Sequence, residues 1–86
     1  MYAAKNALLL ADYKMNLGES EIAADYYLKG ALYFKTKGLS EECSHCLYSA
    51  YSAFLQAGRI KDAEACAENL LKEFPKSKYA ESIRNR

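Results

Sequence analysis

Apolar residues recur along this chain with a helical period that breaks at even intervals. Between 40 and 57 they fall at Cys43, Cys46, Leu47, Ala50, Tyr51, Phe54 and Ala57, stepping by three and four. That spacing lines one face of an α-helix. The segment 20–37 repeats it with Ile22, Ala23, Tyr26, Tyr27, Ala31, Tyr33 and Phe34. The segment 60–74 does so with Ile60, Ala63, Cys66, Ala67, Leu70, Leu71 and Phe74. The first segment, 2–17, is apolar more broadly and includes Leu8, Leu9, Leu10, Ala11, Tyr13, Met15 and Leu17.

The breaks are Gly18, Gly38 and Gly58, each 20 residues from the next. Glycine takes the left-handed conformation that ends a helix without a Cβ clash. Five residues after each glycine stands a small side chain: Ala23, Cys43 and Ala63. Ser20 and Ser40 are the expected N-caps, with Glu21, Glu41 and Glu42 following at the positive end of the helix dipole. Pro75 stops the fourth helix, and Ser77 caps a short last one. No strand-like alternation is present.

The pattern predicts a single all-α domain over 1–86. Four antiparallel helices lie at about 2–17, 20–37, 40–57 and 60–74, with a short C-terminal helix at about 78–85. Turns of two or three residues force consecutive helices to pack side by side. A bundle and a short superhelical array both satisfy this, and the equal spacing of the turns favours the array.

Composition removes several function classes. Twelve basic residues face eleven acidic ones, interspersed, for a net charge of +1. That balance argues against nucleic-acid binding by phosphate neutralisation. No apolar run approaches the length of about 20 residues that spans a bilayer, and no secretory signal is evident. Three cysteines, an odd number, suit a reducing compartment and predict a cytoplasmic protein.

The stretch "YSAFLQAGRIKDAEACAENLLKEFPKSKYAE" resembles a tetratricopeptide repeat, and its ending looks like repeats of bacterial envelope scaffolds. That family pattern spans about 34 residues with large and small apolar residues at set places and a closing proline. Leu47, Phe54, Ala63 and Pro75 take such places, whereas Tyr51 and Leu70 stand where the family has small residues. An earlier unit of 40 residues matches through Leu10, Ala11, Ala23, Tyr27 and Gly30. Its longer helix pairs are similar to those of soluble NSF attachment proteins.

The resemblance implies a fragment of a TPR-like α-solenoid acting as a protein–protein interaction scaffold or adaptor. It implies a partner peptide or helix on a concave face lined by the first helix of each pair. The lining positions carried over are Lys5, Leu8, Asp12, Met15 and Asn16 from the first helix, and His45, Tyr48, Ser52, Leu55 and Gln56 from the third. The carboxylate-clamp positions of some family members hold Leu8, Asp12 and Ser49 here, and Asp12 would repel such a ligand. Arrays usually need three or more units to bury their ends. The chain is therefore expected to be part of a longer solenoid or to self-associate through an apolar end face, for which Tyr2, Leu9 and Tyr13 are candidates.

One motif suggests other chemistry. "ECSHCLY" places Cys43, His45 and Cys46 together, with Cys66 further on, a set that could ligate zinc. Both cysteines fall on the apolar stripe of a periodic helix, while His45 turns away, so packing explains them better. No cofactor or metal is expected. The acids lie mostly at helix starts, His45 has no evident partner, and no catalytic spacing is visible, so no enzyme is predicted. The alternative is a compact helical bundle with a small-molecule or metal site between helices, lined by the three cysteines.

Overall fold

The computed structural model describes the backbone of residues 2–85 and the side chains of residues 8–85. Five helices account for the described chain: α1 (Tyr2–Asn16), α2 (Ser20–Thr36), α3 (Ser40–Gln56), α4 (Ile60–Glu73) and α5 (Lys78–Arg84). No strand is present among the described residues. The helix boundaries agree with the sequence pattern to within one residue at each end.

The three glycine turns share one construction. Gly18, Gly38 and Gly58 have φ of 80°, 73° and 78°. The amide of Glu19 donates back to the Lys14 carbonyl at 2.8 Å, and that of Gly18 to Met15 at 3.0 Å. The same pair of bonds recurs at Leu39 with Gly38 and at Arg59 with Gly58, satisfying carbonyls the helix end leaves open. A Cβ at any of the three glycines would meet nothing within 4 Å. Gly38→Ala therefore costs only its backbone conformation, about 1–2 kcal/mol. Urea denaturation checks this, with the midpoint lowered and helical content unchanged.

The next helix begins at once. The carbonyls of Glu19, Leu39 and Arg59 accept from the amides of Ala23, Cys43 and Ala63, each at 3.0 Å. This corrects the expected caps. Ser20 and Ser40 are the first helical residues, and the capping positions are Glu19, Leu39 and Arg59, without side-chain caps. Ser77 does cap α5, its Oγ accepting from the Ala80 amide at 3.0 Å.

Helices adjacent in sequence pack on one another, α1 on α2, α2 on α3 and α3 on α4, while α5 rests on both α3 and α4. α1 and α4 share no extended packing, so the row stays open at its first helix. Two buried clusters hold it together. One joins Ala11, Ala23, Ala24, Tyr27, Ala50, Ala53, Phe54, Ala63 and Cys66. The other joins Ala31, Phe34, Cys43, Cys46, Leu47, Leu70 and Ala80. Small residues dominate both, which lets the helix axes approach closely. Gly30 marks one close approach: a Cβ there would stand 3.3 Å from the Cys46 Sγ and 3.8 Å from Leu8.

Polar ties join α2 to α3 and to α4. Ser20 Oγ donates to Gln56 Oε1 at 2.9 Å. Arg59 pairs with Glu21 and with Asp62 and lies over the Phe54 ring. At the other end Lys35 pairs with Glu73 at 2.9 Å, joining α2 to α4. These pairs are exposed and each contributes little to stability.

Candidate functional site

α1, α3 and α5 meet at one surface. Leu8 from α1, His45 from α3 and Tyr79 from α5 line a single pocket of about 330 Å³ with Phe34, Glu41 and Glu42. The helical period explains the α3 contribution. Cys43, Cys46, Leu47 and Ala50 point inward, so His45 and Tyr48 emerge on the flank. Tyr79 is set down by the Ser77 cap and by Ala80, which is fully buried one residue later.

An aromatic group results. The Tyr79 ring lies 5.4 Å from the His45 ring and 5.4 Å from the Tyr48 ring, and Tyr48 lies 6.0 Å from Tyr51. His45 Nδ1 is 3.1 Å from the Tyr79 hydroxyl. His45 thus has the partner that its sequence context did not reveal. Tyr79 was missed as a site residue because it belongs to a helix of 7 residues that the periodicity treats as a tail. Its only sequence signal is an aromatic placed two residues after a capping serine.

The other predicted lining residues divide. Leu8, Met15, Tyr48 and Leu55 are half-buried and pack against the core clusters, so they are part floor and part surface. Asp12 is drawn toward α2, where its Oδ1 accepts from the Tyr27 hydroxyl at 2.6 Å. Burial, and with it this bond, raises the Tyr27 pKa. Asn16 is exposed and Ser52 half-buried. Gln56 lies at the far end of α3, tied to Ser20, and lines a different pocket with Gly18, Ile22 and Asp25. The side chain of Lys5 lies outside the described residues. The structure therefore gathers Leu8, His45 and Tyr48 around Tyr79 and leaves Gln56 apart.

A larger cavity of about 510 Å³ adjoins this surface. It lies between the start of α3 and the chain from 73 to 79, and its walls include Ser44, Phe74, Pro75 and Tyr79. Its charges, Glu41, Glu73, Lys76 and Lys78, have mixed sign.

The cysteines do not converge. Cys43 and Cys46 belong to one buried cluster and Cys66 to the other. Burial pushes the Cys46 thiol up to about 12 and the Cys66 thiol up to about 11, and it raises Cys43 as well. Thiols held neutral in this way are poor nucleophiles and poor ligands. Among the described residues no group of three or more His, Cys, Asp and Glu side chains is placed to hold a metal ion. Likewise, no helix among them is long and apolar enough to cross a membrane. No protein-family model, curated protein or solved structure matches this chain.

Proposed function

We propose that this chain is a non-catalytic interaction module of the TPR-like class. It acts as a scaffold that takes a partner peptide or helix across the surface formed by α1, α3 and α5. The observation that carries the reading is the shared pocket of Leu8, His45 and Tyr79, an apolar and aromatic floor contributed by three separate helices. The open row of helices and the thrice-repeated glycine turn support a solenoid-like arrangement over a closed bundle. Glu41 and Glu42 at the pocket rim suit a partner with an apolar anchor beside a basic residue. The division of the cysteines between two clusters supports a packing role for them. Three free, buried thiols fit a cytoplasmic setting.

A photoreactive residue in place of His45 tests the reading. It captures a protein partner, whereas the same residue at Lys61, exposed on α4, does not. Tyr48→Ala weakens that capture by at least about tenfold while helical content is retained. Equal capture at both positions would show that the α1, α3 and α5 surface is not the binding face.

A further inference from the structure

The cavity of about 510 Å³ and the pocket of about 330 Å³ share two walls. Glu41 and Tyr79 line both, whereas Leu8 and His45 belong to the smaller alone and Phe74 and Pro75 to the larger alone. Tyr79 is a fixed partition between them. Its hydroxyl is 3.1 Å from His45 Nδ1, its ring is 5.4 Å from the Tyr48 ring, and Lys78 Nζ lies 5.3 Å from its centroid. Ala80 beside it is fully buried. Both pockets are therefore formed in the free chain, and a ligand does not have to order them.

The larger cavity suits an apolar guest. Its volume falls within the range of about 300–1,000 Å³ that encloses small ligands, ample for one aromatic side chain. Phe74, Pro75 and Tyr79 supply apolar walls. Ser44, only 1% exposed, donates its hydroxyl to the Glu41 carbonyl at 2.9 Å, so that wall leaves no donor unsatisfied under such a guest. Two of the charges at the cavity are engaged within the chain: Glu73 pairs with Lys35 at 2.9 Å, and Lys78 lies over Tyr79. Glu41 and Lys76 form no ion pair among the described residues. Glu41 borders both pockets and Lys76 only the larger.

On the reading that the α1, α3 and α5 surface is the binding face, we infer that the two pockets take two anchors of one partner segment. An apolar side chain packs against Leu8 and His45, and an aromatic one enters the larger cavity against Phe74 and Pro75. A basic residue lies between the anchors, and an acidic residue lies beyond the second. The order follows from the walls. Glu41 is the free carboxylate common to both pockets, with Glu42 beside it on the smaller one, so the matching cation sits between the anchors. Lys76 borders only the larger cavity, so the matching anion sits past the aromatic anchor. Tyr79 separates the two anchors and touches both.

Random peptides of about 12 residues, displayed on phage and selected on the full chain, test this. Enriched sequences carry two large apolar residues, one of them aromatic, with Lys or Arg between them and Asp or Glu beyond the aromatic one. A synthetic copy of an enriched peptide binds at least about tenfold more weakly to His45→Ala, at the smaller pocket. It loses as much on Ser40→Trp, which sets an indole at an exposed wall position of the larger cavity alone. Pro75→Asp serves if Ser40→Trp fails to fold by circular dichroism. Glu41→Gln weakens binding and makes it less sensitive to salt. Loss at His45→Ala without loss at the larger cavity overturns the second anchor and leaves the α1, α3 and α5 surface as the binding face. Loss at the larger cavity alone overturns both readings, as does loss at neither or a selection without enrichment.

Discussion

Leu70→Ala lowers the unfolding free energy by about 3 kcal/mol, within the range for a fully buried leucine. Leu70 is 0% exposed and is the largest side chain of α4 in the second cluster. Its neighbours there include Cys43, Cys46 and Leu47 of α3 and Ala80 of α5. Truncation leaves a cavity where three helices meet, and rigid helices close it only in part. A domain of this size has a total stability of roughly 4–13 kcal/mol, so the loss is a quarter or more of the whole. Urea denaturation reads it as a lower midpoint at unchanged slope. Leu32→Ala is the control. Leu32 is 65% exposed, and its truncation stays within about 0.5 kcal/mol. Equal effects at the two positions would mean that α4 does not close the core at Leu70.

Stability falls steeply above about pH 9, and the buried thiols are the main cause. Cys43, Cys46 and Cys66 are all raised above the ordinary thiol value of 9.0, Cys46 to about 12 and Cys66 to about 11. Tyr27 is raised above its ordinary 10.0 by burial and by its bond to Asp12. In each case the unfolded chain releases the proton first. The stabilisation is fully present below the unfolded value and is lost as pH rises toward the folded value. Each thiol contributes a slope of up to about 1.4 kcal/mol per pH unit inside its window. Urea midpoints measured between about pH 7 and pH 10.5 check this. The Cys46→Ala/Cys66→Ala variant has a flatter profile from about pH 9 to 10, with the Tyr27 decline setting in above that. A wild-type midpoint unchanged at about pH 10.5 would contradict the burial of these thiols.

The same residues show which parts of the molecule a linear reading reaches. Gly18, Gly38 and Gly58 were legible because a helix C-terminus is a local event, decided by one residue in the left-handed region and bonds spanning five residues. The capping serines were misplaced by one position for a related reason. The amides of Glu19 and Leu39 close the preceding turn while their carbonyls open the next helix. One residue then serves both helices, and the serine after it is already inside the second. Ser20 turns instead to Gln56, 36 residues away, a partner that no local rule names. The cysteines of "ECSHCLY" were legible as buried, because their spacing matches the apolar stripe of a long helix. That Cys66 lies in a different cluster from them was not, since helical phase gives a residue's direction and not the neighbour it meets.

The candidate surface divides in the same way. Leu8, His45 and Tyr48 were reached through the lining positions that the TPR-like resemblance implies for α1 and α3. Tyr79 was not, because a short helix carries too few residues for phase to be read, and its place depends on how Ala80 and Ile83 dock on α3 and α4.

By itself the sequence determined five helices and, to within one residue, their boundaries. Periodicity, glycine and proline act within a few residues, so they leave their mark in the linear order. Only the tertiary structure decided that the row stays open at α1 and that α5 folds back over α3. It likewise decided that Asp12 is spent on Tyr27 and that Leu9 and Tyr13 are left bare. Those outcomes depend on distances between residues far apart in the chain. Small side chains such as Ala23, Gly30 and Ala50 set these distances by letting particular helices, and not others, come close.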